Sequence, residues 1–293
     1  MKYGLCLPYM KTGLTRDDYL AWFQHIDQGP FISLSCGERI HGPTYDMRIL
    51  LAAAAATTET LEINTTLYVL PMHNAVRAAK EIATLDVISG GRLTVTVGYG
   101  GRPLDYQAVG AEYKGRHARM DDQIAQMRSV WAQEPVLEEG GPIGPVPVQK
   151  GGPTILTGAM GPKGIARSAQ WADGIYAWSG NGEQSELEKT LNLADQEWQK
   201  AGRDSKPYKL GGFWYSLSDN AQENLYNYVY KYLEIAGEDI AKYMAGTVNR
   251  STPDAVKEAM DNLERAGCEE IMLSPTTADL KEIDRLVDII ESR

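Results

Sequence analysis

The stretch LEINTTLYVL at residues 61–70 is followed by NAVRAAKEIATLDVI at 74–88, the turn Ser89-Gly90-Gly91, and LTVTVG at 93–98. The first run is β-branched and is stopped by Pro71, which cannot donate to a ladder, so it reads as a strand. The second run is a helix closed by glycine, and the third is another β-branched strand. Two strands joined by one helix are a single step of an alternating α/β chain.

The alternation continues on both sides. Upstream lie strands at Tyr3–Leu7 (YGLCL) and Phe31–Cys36 (FISLSC), with helices at Thr15–Gln28 and Thr44–Thr58. Thr15 is a candidate N-cap and Gly29 a stop. Downstream, helix His117–Ala132 and a Gly/Pro-rich connection at Gly140–Pro153 lead to strand Thr154–Thr157. Strands Gly174–Trp178, Lys209–Leu217 and Glu270–Ser274 follow, among helices at 162–171, 183–201, 221–236, 239–244, 252–266 and 279–292. Thr252 caps its helix, with Pro253 at the first helical position. Eight strands, each followed by at least one helix, over about 250 residues plus insertions, meet the requirement of a (β/α)8 barrel. Two doubly wound sheets would also alternate, but no linker divides the chain near its middle. One α/β barrel domain over residues 1–293 is therefore expected.

Composition narrows the function. The 293 residues include 29 basic and 39 acidic side chains, for a net charge of −10. A phosphate-backbone binder needs a basic face, so no nucleic-acid partner is expected. The longest apolar run, Ile49–Ala56, falls well short of the roughly 18 residues of a membrane span, so no membrane role is expected. Cys6, Cys36 and Cys268 are odd in number and widely spaced. They write no disulfide framework, and a reducing cytoplasm is the simplest fit. No HExxH motif or paired Cys/His cluster suggests a metal.

In a barrel of this kind the active site is built from the loops after the strands. After the fifth strand comes Gly158-Ala159-Met160-Gly161-Pro162-Lys163-Gly164. Its glycines allow close backbone approach, and the helix it opens offers free amides to an anion such as phosphate. The same residues also suit a plain strand-to-helix turn. Neither GxxxxGK[ST] nor GxGxxG is present, so Walker and dinucleotide fingerprints are absent.

Taken together, Leu67-Tyr68-Val69-Leu70-Pro71, the block AKEIATLDVISGGR at 79–92, and Val97-Gly98-Tyr99-Gly100-Gly101-Arg102-Pro103 closely resemble the bacterial-luciferase-like monooxygenase family. These are TIM-barrel oxidoreductases that use a flavin or a deazaflavin. Gly158–Gly164, Ala172-Asp173-Gly174 and the Thr252-Pro253 helix extend the resemblance over essentially the whole chain. It implies a non-proline cis peptide at Thr66-Leu67 beneath the cofactor ring, although relatives often have Gly or Ser where Thr66 stands. It implies cofactor phosphate near Gly98, Tyr99, Gly100 and Arg102, and near Gly158, Ala159, Met160, Gly161 and Pro162. The cofactor would be FMN or coenzyme F420.

After the second strand many relatives place an acid followed by histidine. Here Glu38-Arg39 stands instead, with His41 two residues further on. Glu38, His41 and His73 are the candidate proton-handling groups, while Cys36, Arg39 and Trp178 are candidate substrate contacts. Phe213-Trp214-Tyr215 reads mainly as core. Tyr226, Tyr228, Tyr230 and Tyr232 cannot share one helix face, so some must be exposed or meet a partner. The resulting reading is an oxidoreductase for a small organic substrate, expected as a homodimer, with a separate flavin reductase if FMN is used. A metal-independent barrel hydrolase or isomerase acting on a phosphorylated substrate, or a non-catalytic flavin-binding barrel, stand as alternatives.

Overall fold

Thr15 opens the first helix through a reciprocal pair. Its hydroxyl accepts the Asp18 amide, and the Asp18 carboxylate accepts the Thr15 amide at 2.7 Å. This box satisfies two of the donors that a helix start leaves free. Thr252 caps in the same sense, accepting the Ala255 amide at 3.2 Å ahead of Pro253. Asn74 accepts the Arg77 amide, and the helix it starts stops at Gly90 in the left-handed conformation, φ +68°.

The computed structural model describes residues 1–293. Its strands are β1 (Lys2–Cys6), β2 (Ser33–Cys36), β3 (Glu62–Tyr68), β4 (Leu93–Val97), β5 (Thr154–Thr157), β6 (Gly174–Trp178), β7 (Tyr208–Tyr215) and β8 (Glu270–Pro275). They form a closed barrel in sequence order, every neighbour parallel, with β8 returning to β1. Helices α1 (Arg16–Gln28), α2 (Met47–Thr57), α3 (Ala75–Ser89), α4 (Pro103–Ala108), α5 (Arg116–Trp131) and α6 (Pro162–Ser168) follow the first five strands. Then come α7 (Gln184–Lys200), α8 (Ala221–Leu233), α9 (Glu238–Thr247), α10 (Pro253–Arg265) and α11 (Lys281–Glu291). The expected (β/α)8 TIM barrel is what the chain forms. No helix is long and apolar enough to cross a membrane.

Strand pleating decides what faces inward, because successive side chains point to opposite sides. Ser33 donates to buried Glu270 at 2.5 Å and Tyr208 donates to the other carboxylate oxygen at 2.8 Å, while Thr96 donates to Asn64. These polar groups inside the barrel are thus paired, as burial demands. The apolar core, including Trp22, Phe23, Leu51, Ile82 and Ile283, lies between the strands and the helices.

Two local differences from the sequence reading matter for the site. β3 ends at Tyr68 rather than Leu70, because its register against β4 slips between Thr66 and Tyr68 and a 3-10 turn at Leu70–Met72 follows. The Thr66–Leu67 peptide within that slip is cis. The segment after β4 also carries α4, started by Pro103, a signal the sequence reading passed over.

Candidate functional site

The bulge in β3 turns Leu67 toward the loops after β4 and β5. A Cβ at Gly98 would lie 2.5 Å from Leu67 Cδ1, and one at Gly158 would lie 2.5 Å from Leu67 Cδ2. The two glycines form a notch that only hydrogen side chains leave open, and Leu67 fills it. Beside it, Thr66 donates to Ser35 at 2.8 Å and faces Cys6.

Glu38 holds this bulge from behind. Its amide donates to the Leu67 carbonyl at 3.2 Å, and one carboxylate oxygen accepts the Val69 amide at 2.7 Å. The other oxygen lies 2.7 Å from His73 Nε2. The His73 ring packs edge-on to Tyr68, and the His73 carbonyl accepts from Gln123. The Glu38 and His73 side chains are only 4% and 12% exposed. The structure therefore brings these two expected catalytic residues together, but behind the cavity wall rather than on it. His41 is exposed; its amide donates to Asp105, and its carbonyl accepts from Arg39.

A cavity of about 690 Å³ opens at the carboxyl ends of the strands, within the usual size of small-molecule sites. One half is bounded by Thr66, Leu67, Gly158, Met160 and Pro162. There the amides of Met160, Gly161, Lys163 and Gly164 donate to no protein acceptor, and Gly161 has nothing within 4 Å of where its Cβ would stand. Ala159 is buried, its amide turned to the Thr157 hydroxyl. Tyr99 packs on His117 at 4.4 Å, and its buried hydroxyl has no hydrogen-bond partner. Burial and the neighbouring arginines 116 and 167 push the His117 pKa down, so the ring stacks as the neutral form near neutrality.

The other half is aromatic. Tyr176, Trp178, Trp214 and Tyr232 form a chain of edge-on contacts, with centroid separations of 5.9, 4.8 and 5.2 Å. Trp178 is where the sequence reading put it. Tyr9, Tyr176, Trp214, Tyr228 and Tyr232 were not singled out as site residues; the tyrosine-rich helix is the signal that points to two of them. Tyr228 and Tyr232, four apart on α8, both face the cavity, while Tyr226 and Tyr230 stack on each other at 6.3 Å.

Three expected positions fall elsewhere. Cys36 is fully buried and lines no part of the cavity. With Ser33 and Ser35 pointing into the barrel, the pleat sends Cys36 outward, near Tyr19 of α1. Cys6 of β1 occupies the inward position instead. Arg102 donates to the Tyr232 carbonyl and lies over the Tyr232 ring, at the aromatic end rather than the glycine loop. Arg39 contacts Met10, and burial together with the nearby Arg102 lowers its pKa. Gly100, φ +63°, is required by Val69, whose Cγ1 would lie 2.5 Å from a Cβ.

Residues 1–274 match the family model described as luciferase-like monooxygenase. The chain belongs to that family. The uncharacterized protein Rv0953c of Mycobacterium tuberculosis is 33% identical over 175 residues, which cover 56% of this chain and 60% of that protein. The chain thus spans about 60% of the length of such curated relatives. In fold it is similar to an F420-dependent secondary alcohol dehydrogenase in complex with an F420–acetone adduct, with TM-score 0.78, 19% identity, and 100% and 99% of the two chains covered. It is also similar to the oxygenating constituent of 3,6-diketocamphane monooxygenase of Pseudomonas putida in complex with FMN. There the TM-score is 0.76 at 14% identity, covering 99% and 97%.

Proposed function

We propose that this luciferase-like protein is an oxidoreductase that holds FMN or coenzyme F420 in the glycine-lined half of the cavity and a small organic substrate in the aromatic half. The observation that carries this is the junction of the Leu67 notch with the unpaired amides at 160–164 in one continuous cavity. The residues fit the group: a flat apolar ridge meets a ring, and free amides with no side chain at Gly161 meet a phosphate. When bound, the cofactor supplies electron or hydride transfer.

The chain's own residues bind and orient. Leu67 is the ledge for the ring, and Thr66, held by Ser35, keeps that ledge fixed. Glu38 and His73 act as positioning residues, since the two Glu38 oxygens are spent on the Val69 amide of the bulge and on His73 Nε2. The aromatic half excludes water from the reacting face. With FMN, reduced cofactor would come from a separate reductase. The three cysteines are free and buried, which suits the cytoplasm.

Fluorescence titration with FMN and with coenzyme F420, oxidised and reduced, tests the reading. Binding of one of them supports it and tells the two chemistries apart; binding of neither removes it and favours a hydrolase or isomerase. Gly161→Asp sharpens the test. The position is open and caps α6, where aspartate is better than glycine by roughly a few tenths of a kcal/mol. Thermal stability is expected to hold or rise, while cofactor affinity falls at least about 10-fold through repulsion of the phosphate. Unchanged affinity would remove the phosphate from this loop.

The homodimer is proposed on a separate face. A groove of about 510 Å³ lies between α2 and α3. Beside it Ile49 is 70% exposed and Ile88 46%, with the ion pairs of Arg48, Asp46, Glu81 and Arg77 at the rim. Apolar residues rimmed by charge suit a self-complementary contact. Ile49→Glu is expected to shift the sedimentation coefficient from dimer to monomer, and a monomeric wild type would overturn the assignment.

A further inference from the structure

Tyr9, Tyr176 and Tyr228 line the aromatic half, each less than a tenth exposed. The hydroxyls of Tyr9 and Tyr228 make no hydrogen bond to the protein, and neither belongs to the sealed, partnerless groups of the interior, so both open onto the cavity. The sequence makes room for Tyr9: a Cβ at Gly37 would lie 2.9 Å from its hydroxyl and 3.0 Å from the Thr66 carbonyl. Tyr9 therefore stands beside the β3 bulge, next to the ring position proposed above. Tyr176 lies deeper, facing Ser274, and a Cβ at Gly212 would lie 2.5 Å from its hydroxyl. Burial raises all three phenols well above their ordinary range, and the neighbouring Tyr232 adds to the effect at each of them. They stay protonated at neutral pH and present donors.

No buried charge lines this half. Among the residues lining the cavity, only Glu186 and Lys189 are ionic at neutral pH, both on the exposed side of α7, where Glu186 accepts from Ser179. Arg39 and Arg102 stand behind the Tyr9 and Tyr232 rings and do not line the cavity, so an anionic substrate would meet no cation directly, which makes its desolvation costly. The wall offers edge-on rings from Trp178, Trp214 and Tyr232, an arrangement that favours flat aromatic surfaces.

We propose that the aromatic half binds an uncharged aromatic molecule bearing a ketone oxygen, the rings lying on the Trp178–Trp214–Tyr232 wall and the oxygen accepting from Tyr9 and Tyr228. This rests on reading the cavity as the substrate site of the oxidoreductase. Two phenol donors lining the same half of one cavity, with no protein acceptor for either, suit the two lone pairs of a carbonyl.

The test uses three naphthalene probes of matched size: 2-acetonaphthone, 2-isopropenylnaphthalene and 2-naphthoate. Binding is read from quenching of tryptophan emission, with and without FMN or F420. The wild type is expected to bind the ketone about 10-fold more tightly than the hydrocarbon, and the carboxylate most weakly. Tyr9→Phe and Tyr228→Phe should each weaken ketone binding by about 3- to 10-fold and leave the hydrocarbon unchanged. Both variants keep the ring, and circular dichroism checks that they fold. Equal binding of ketone and hydrocarbon, preference for the carboxylate, no binding of the ketone, or no effect of either variant overturns the proposal. Failure of both cofactors to bind, measured separately in the same proteins, overturns the oxidoreductase reading instead.

Discussion

Gly158→Val is expected to leave the barrel folded and to weaken FMN or F420 binding by about 10- to 100-fold, roughly 1.4–2.8 kcal/mol. The reason is the notch. Even the first carbon of a side chain at 158 would stand 2.5 and 2.7 Å from the two Leu67 methyls, against about 3.5–4.0 Å for a relaxed contact. Leu67 is half-buried and borders the cavity, so its tip can swing into open space. Stability should therefore fall by only about 1–2 kcal/mol, within the range for overpacking. What moves is the ledge on which the ring is proposed to lie, and a shift of about 1 Å there is felt directly in binding. The pair Gly158→Ala and Leu67→Ala makes the argument specific. If the loss comes from displaced Leu67, Gly158→Ala should cost little further affinity once Leu67 is already alanine, a coupling that a double-mutant cycle reads. Wild-type affinity in Gly158→Val would mean that Leu67 does not touch the cofactor.

That notch also shows what the sequence makes legible. Gly98 and Gly158 can be singled out because they end consecutive strands, and Thr66 and Leu67 because the motif around them is distinctive. The barrel itself is legible for the same reason: Pro71, Gly90, Thr15 and Thr252 punctuate elements by local chemistry, and each acts as its residue type dictates. The aromatic half is not legible, because Tyr9, Tyr176, Trp214 and Tyr228 come from four different elements and meet only when the barrel closes. Cys36 and Cys6 differ by one step of the pleat, and nothing in a short apolar run says which parity faces the lumen. Arg102 has a motif position that suits a phosphate, yet a neighbouring tyrosine carbonyl and ring take its charge. Glu38 looks like an acid for catalysis until the Val69 amide and His73 are seen to occupy its two oxygens.

Arg92→Ala is expected to cost about 3 kcal/mol of stability, and in a chain of this size to lower Tm by about 6–12 °C. Arg92 closes the AKEIATLDVISGGR block, whose charge invites a ligand role. Its guanidinium instead gathers carbonyls from three neighbouring segments. It donates to Ala55 at 2.9 Å and Thr58 at 3.0 Å, at the end of α2, to Leu61 at 2.5 Å ahead of β3, and to Ser89 at 2.7 Å, at the end of α3. The Thr58 hydroxyl accepts as well, at 3.3 Å. Those of Ala55, Thr58 and Ser89 lie at helix ends, which leave carbonyls without amide partners, and a cation at a helix C-terminus is favourable in its own right. Arg92→Lys keeps the charge but has no planar fork to reach several acceptors at once, so it should recover less than half of the loss. Asp86 of the same block is fully buried and accepts the Gln149 amide at 3.0 Å and its side-chain nitrogen at 2.7 Å, tying the long connection before β5 to α3. In Arg92→Ala, the residual folded protein should bind FMN or F420 with unchanged affinity at 15 °C, because no part of this hub borders the cavity. A selective loss of cofactor binding without a loss of Tm would assign Arg92 to the site and reverse the argument.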